Sequence, residues 1–129
     1  MERAIEWFVA LTSLIIGVSH IVQARTWVEV FDRLHRAGRP GAFANGGLSL
    51  LPGAVLVAGH GSWAWPGAVV TAFGWLLVIK GMICFLVPDL ALRSMERGPS
   101  RSRFVAGGAV LLAIAGWAAY CAWRHGGAG

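Results

Sequence analysis

The 129-residue chain is 57% hydrophobic and 13% charged, with a mean hydropathy of +0.64. Those values exclude an ordinary soluble domain of this length and suit a polytopic membrane protein with short connections. The formal charge is +5, but the arginines cluster in two short loops between apolar stretches. That is the pattern of topology signals and anionic-lipid contacts, not of a nucleic-acid surface.

The first apolar stretch covers residues 4–24. Val22-Gln23-Ala24 resembles a small-residue cleavage site. However, Met1-Glu2-Arg3 carries no net positive side-chain charge, and the apolar run exceeds the roughly 7–15 residues of a signal peptide. A retained transmembrane helix is expected. The following RTWVEVFDRLHRAGRPG places Trp27, Val28, Phe31 and Leu34 on one helical face, with Glu29, Asp32, Arg33 and Arg36 mostly opposite. This is the pattern of a short amphipathic helix lying in a membrane interface. Gly38-Arg39-Pro40-Gly41 ends it.

The second span covers 42–59, with Pro52 inside as a tolerated kink. GHGSWAWPG, uncharged and bearing Trp63 and Trp65, reads as a tight surface turn. The third span is 66–88. DLALRSMERGPSRSRF then forms a second basic loop, the fourth span is 105–123, and RHGGAG is expected to lack structure. The chain is thus expected to be a single all-α membrane domain: a bundle of four transmembrane helices with one interfacial amphipathic helix on the cytoplasmic side.

Arg25, Arg33, Arg36 and Arg39 occupy the first loop, and Arg93, Arg97, Arg101 and Arg103 the third. The positive-inside rule makes both loops cytoplasmic and puts both termini outside. Trp7, Trp63, Trp65 and Trp123 then fall at the outer interface and Trp27 at the inner one. The two halves share a span–loop–span plan but no residue-level repeat.

Lys80, the one lysine of the chain, lies within the third span. A charge at that depth costs at least about 2.5–3.5 kcal/mol. It marks either an anion or proton site, or a side chain snorkelling to the inner headgroups. His20, Asn45 and Ser49 fall at a similar depth in the inner leaflet. If their faces converge with Lys80, they form a polar pocket open to the cytoplasm: Asn and Ser supply hydrogen bonds, Lys a fixed charge and His a titratable ring. The alternative is that each bonds a neighbouring helix as packing glue.

Helical spacing puts Glu6, Ala10, Ser13, Gly17 and His20 on one stripe of the first span. Asn45, Ser49, Gly53 and His60 share a face of the second, Gly67, Thr71, Gly74 and Gly81 one of the third, and Ala109, Ala113 and Gly116 one of the fourth. Such small-residue stripes let helices approach closely. Lys80 borders the third stripe.

His60 reads as an interfacial histidine beside Trp63, and His35 and His125 as exposed and incidental. No haem-attachment motif, His pair or thiolate pair points to a metal or haem, so no cofactor is expected. Cys84 and Cys121 read as packed free thiols. No nucleophile elbow, P-loop, dinucleotide fingerprint or buried acidic pair is present. Arg93 is placed to pair with Asp89 if that segment is helical.

The run His60-x-x-Trp63, Gly74-Trp75, Lys80-Gly81 and Pro88 resembles a pattern in small uncharacterised bacterial membrane proteins of similar length. That resemblance implies a bacterial inner-membrane location and a special role for Lys80, without implying an activity. The chain is also distantly similar to DoxX-like four-helix proteins, whose signature residues it lacks. Small multidrug resistance proteins carry a membrane-buried glutamate in the first helix. Here Glu6 lies near the outer end, and the charge bias opposes their antiparallel assembly.

The leading functional expectation is therefore a non-enzymatic accessory or structural component of the inner membrane. The alternative is a small homo-oligomeric transporter or channel with an anion-accessible site around Lys80. Expected partners are the bilayer with its anionic lipids, and either further copies of the chain or a larger membrane complex. Nucleic acid is not among them.

Overall fold

The computed structural model describes residues 1–96 and 100–127; Arg97, assigned above to the third loop, lies outside them. The described residues form six helices and no strand: α1 Glu2–Val22, α2 Ala24–Arg36, α3 Arg39–Gly59, α4 Ala68–Leu86, α5 Pro88–Glu96 and α6 Arg101–Gly127. Four of these, α1, α3, α4 and α6, are long and apolar enough to cross a membrane. Leu14, Ile15, Leu51, Leu76, Leu86 and Val110 are exposed along them. Such outward-facing apolar side chains suit a lipid environment, and the chain has the build of a multi-pass membrane protein.

The spans pack as two antiparallel pairs, α1 with α6 and α3 with α4. Small residues set both seams. A Cβ on Gly108 would sit 2.7 Å from the Gly17 carbonyl oxygen, so any side chain there forces α1 and α6 apart. Across the other seam, Gly53 receives Leu77, Gly74 receives Leu56 and Gly81 receives Leu50. Without a hydrophobic drive between helices in lipid, this interlocking is what holds them together.

The stripes expected on the first three spans are where the chain packs. Glu6, Ala10, Ser13 and Gly17 are buried on α1, Asn45, Ser49 and Gly53 on α3, and Thr71, Gly74 and Gly81 on α4. The stripe expected on the fourth span is not. Ala109, Ala113 and Gly116 are exposed, and the packed face carries Gly108, Ala115, Ala118 and Ala122. Small residues line two adjacent faces of α6, so size alone does not pick the seam; the meeting of Gly108 with Gly17 does.

One end of the bundle holds Met1, the end of α6 and the α3–α4 turn, and the other holds the arginine-rich segments. At the basic end α2 is amphipathic as its spacing predicts: Trp27, Val28, Phe31 and Leu34 are half-buried, while Glu29, Arg33 and Arg36 are exposed. Gly38 follows with φ 71°, a conformation that disfavours any Cβ, and Pro40 helps start α3. α3 runs through Pro52 unbroken.

Two expected loops are helical. Residues 88–96 form α5, and Asp89 pairs not with Arg93 but with Arg39, at 3.2 and 3.3 Å. The α3 start lies alongside α5, so a partner from another helix outcompetes the local one. The tail expected to lack structure extends α6 through Gly127. Cys84 and Cys121 are free and buried.

Candidate functional site

Between the two helix pairs lies a cleft of ≈ 330 Å³. Its walls are mostly apolar, with Phe8, Ile16, Leu48, Leu56, Phe73 and Leu77 among them. His20, Asn45, Ser49 and Lys80 all reach it, joined by Ser13. The convergence follows from the helix faces: Ser13 is on the packed stripe of α1, Asn45 and Ser49 on that of α3, and Lys80 borders the α4 stripe. Asn45 and Lys80 also line two smaller cavities that extend toward α5 and α6 at the basic end.

The polar groups of this cleft are notable for what they do not bond. Asn45, Ser13 and Ser49 are each 4% exposed. A buried serine in a helix ordinarily bonds back to the carbonyl one turn earlier. Thr12 does so, its hydroxyl donating to the Phe8 carbonyl at 2.7 Å. Among the described residues, neither Ser13, Ser49 nor the Asn45 amide has a hydrogen-bond partner, yet no fully enclosed side-chain polar atom lacks one. Their polar atoms therefore face the open space of the cavities. Among the described residues Lys80 likewise has no hydrogen-bond or ion-pair partner.

His20 sits at the basic-end mouth. Its Nδ1 lies 2.8 Å from the Ile16 carbonyl and donates to it, which leaves Nε2 available. The ring stacks on Trp27 at 4.2 Å between centroids and is flanked by Phe104 at 5.5 Å. The Trp27 indole N–H donates to the Ser19 hydroxyl, fixing α2 across the mouth. Pro52 also lines the cleft, and having no N–H it removes the amide that would bond the Leu48 carbonyl.

At the opposite end the structure builds a second polar cluster from residues read otherwise in the sequence. His60, expected at the interface beside Trp63, is fully buried within the protein at 0% exposure, as is Glu6. His60 Nε2 lies 3.0 Å from Glu6 Oε1, and Nδ1 lies 2.8 Å from the Thr71 hydroxyl. His125, expected to be incidental, places Nδ1 2.6 Å from Glu6 Oε2. The two contacts to Glu6 span 54 and 119 residues of sequence, so no local pattern announces them. The signal that was present is Glu6 itself: a carboxylate on the packed stripe of a membrane helix must find donors.

Nearby, a pocket of ≈ 240 Å³ reaches Glu6, Cys121, Arg124 and His125. The Arg3 guanidinium donates to the Ala122 carbonyl at 3.2 Å, and the Trp117 indole N–H donates to the Pro66 carbonyl at 2.9 Å, tying α1 and the turn to α6. Among the described residues no three His, Cys, Asp or Glu side chains are arranged around a common metal position. The donors of the Glu6 cluster point at one another.

The two regions suit different chemistry. The cleft joins one cation, an amide and hydroxyls to an apolar wall, which fits a molecule with an anionic head and a hydrocarbon body. In the buried cluster the carboxylate and the two imidazoles bond one another. No family model, no curated protein and no solved structure matches this chain.

Proposed function

We propose that the chain is a bacterial inner-membrane protein that binds an amphipathic anion in the cleft between its helix pairs, as the binding step of a small transporter. The observation that carries this reading is the convergence of Lys80, Asn45, Ser13 and Ser49 on one cleft without protein partners. Packing glue would have left these groups bonded to the neighbouring helix. For that reason the transporter reading takes precedence over the accessory or structural role, which short loops and the lack of catalytic motifs support.

In this reading the arginine-rich end is cytoplasmic and both termini lie outside, following the charge bias of the loops. The site then opens to the inner leaflet. Lys80 attracts the anionic head, the Asn45 amide and the two serine hydroxyls donate to it, and the apolar wall takes the hydrocarbon. Binding replaces an unpaired charge at membrane depth with a paired one, which favours the loaded state. Self-association supplies the further walls that a transport path needs beyond four spans.

The test is flux of medium-chain carboxylates in proteoliposomes, with wild type against Lys80→Met. Flux that depends on Lys80 is the expected result. Wild-type vesicles no leakier than empty ones, or a variant that transports equally, would overturn the reading.

A further inference from the structure

The hydrogen bonds around His60 fix where a proton must be. Thr71 has a single hydroxyl hydrogen, and three carbonyl oxygens lie within reach. Ser62 is at 2.6 Å, while His60 and Gly67 are both at 3.5 Å. The Ser62 carbonyl takes that hydrogen. The Thr71 oxygen is then an acceptor toward His60 Nδ1 at 2.8 Å, so Nδ1 carries a hydrogen. Were Nδ1 bare, the hydroxyl would have to turn to it and leave two oxygens facing each other at 2.6 Å.

With Nδ1 occupied, His60 Nε2 faces Glu6 Oε1 at 3.0 Å. A bare Nε2 against an ionised carboxylate would put two lone pairs in contact inside a fully buried site. One proton must therefore lie between them. It sits on Nε2, giving an imidazolium–carboxylate pair, or on Glu6, giving a neutral ring and a carboxylic acid. The other carboxyl oxygen accepts from His125 Nδ1 at 2.6 Å in either state.

We propose that Glu6 and His60 form a one-proton binding site, loaded from the end that carries the termini by way of His125. The His125 side chain is 45% exposed while that of Glu6 is 0% exposed, and both line the pocket of ≈ 240 Å³. His125 thus connects the enclosed carboxyl to the outside. Toward the rest of the bundle Val9, Ala10, Leu56, Val70 and Ala118 form an apolar core cluster.

The groups around the site are few. Glu2 lies one turn before Glu6 on α1, and Arg3 is directed at the Ala122 carbonyl. α4 contributes Thr71, whose hydroxyl does not titrate, and His60 caps the end of α3. α6 contributes Cys121, Arg124 and His125. The site uses none of the cleft residues and stands whether or not the cleft binds an anion.

The experiment is nitrogen and carboxyl NMR of the full-length chain, isotope-labelled at His and Glu, in lipid bilayers at neutral pH. In the wild type, His60 Nδ1 is expected to carry a hydrogen, and Glu6 plus His60 Nε2 to share one proton. A bare Nδ1, or a pair without that proton, overturns the proposal. Glu6→Gln mimics the protonated carboxyl, its amide donating to Nε2. In that variant the ring is expected to stay neutral with bare Nε2, and a ring that still charges overturns it. His125→Ala leaves the bonding of His60 unchanged and slows exchange of the shared proton with water at least about tenfold. Unchanged exchange removes His125 as the route.

Discussion

Asn45 and Lys80, from opposite helices of the α3–α4 pair, line the same three cavities, and neither has a hydrogen-bonding or ionic partner among the described residues. Two polar groups that line one cavity without bonding protein are free to bond something else. Their contribution to stability should accordingly be small, and their contribution to binding large.

Asn45→Leu separates those contributions. Removing a polar group that has no partner is neutral or stabilising when an apolar group of similar shape replaces it. The variant should unfold in detergent within about 0.5 kcal/mol of the wild type, or above it. Its affinity for medium-chain carboxylates should fall about tenfold, the loss of roughly one charge-assisted hydrogen bond. A large loss of stability would show that Asn45 holds helices together.

Glu6 predicts the opposite balance. Glu6→Ala leaves the His60 ring, at 0% exposure, without its Nε2 partner. Breaking a buried pair from one side costs about 3–5 kcal/mol. Glu6→Gln keeps a donor and an acceptor in place and should cost less than half of that. Reversible unfolding of both variants in mixed micelles checks the ordering.

The α1–α6 seam supplies a steric test. Gly108→Ala would bring a methyl to 2.7 Å from the Gly17 carbonyl, and overpacking of this kind costs about 1–3 kcal/mol. Gly116, on the same helix, has open space around its Cβ position. Gly116→Ala should be neutral or stabilising by up to about 1 kcal/mol, the difference in helix propensity. Thermal unfolding of the pair reads the contrast directly.

At the basic end, the Arg39 hydrogen bond, and then its charge, hold the Asp89 carboxyl below the usual aspartate range. A lowered folded value means that the link contributes above the ordinary value of about 3.9 and is lost as pH falls through the lower one. Both side chains are exposed, so the effect is local. The protection of α5 amides, measured against their intrinsic exchange rate at each pH, should fall below about pH 4 and stay flat from there to neutrality. In Arg39→Gln it should be lower throughout.

The fold was legible where one physical quantity decided it. Apolar length marked the four spans, and helical spacing marked the packed faces of α1, α3 and α4. Size failed on α6, where alanine and glycine line adjacent faces and only contact with Gly17 distinguishes them. The cleft residues His20, Asn45, Ser49 and Lys80 were readable because equal depth on facing helices implies proximity. Ser13 was on the right stripe but was passed over as a small packing residue. The burial of His60 was missed because its partner, Glu6, is remote in sequence; His125 is exposed as expected, but its bond to the same carboxylate spans 119 residues and has no local signal.

The most direct measurement is the affinity of the full-length chain in lipid nanodiscs for a medium-chain carboxylate and for the neutral alcohol of equal length, in wild type and in Lys80→Met. The wild type should prefer the carboxylate at least about tenfold, a difference of roughly 1.4 kcal/mol, and Lys80→Met should bind the two alike. Equal binding by the wild type, or a preference that survives the loss of Lys80, would contradict an anion site in the cleft.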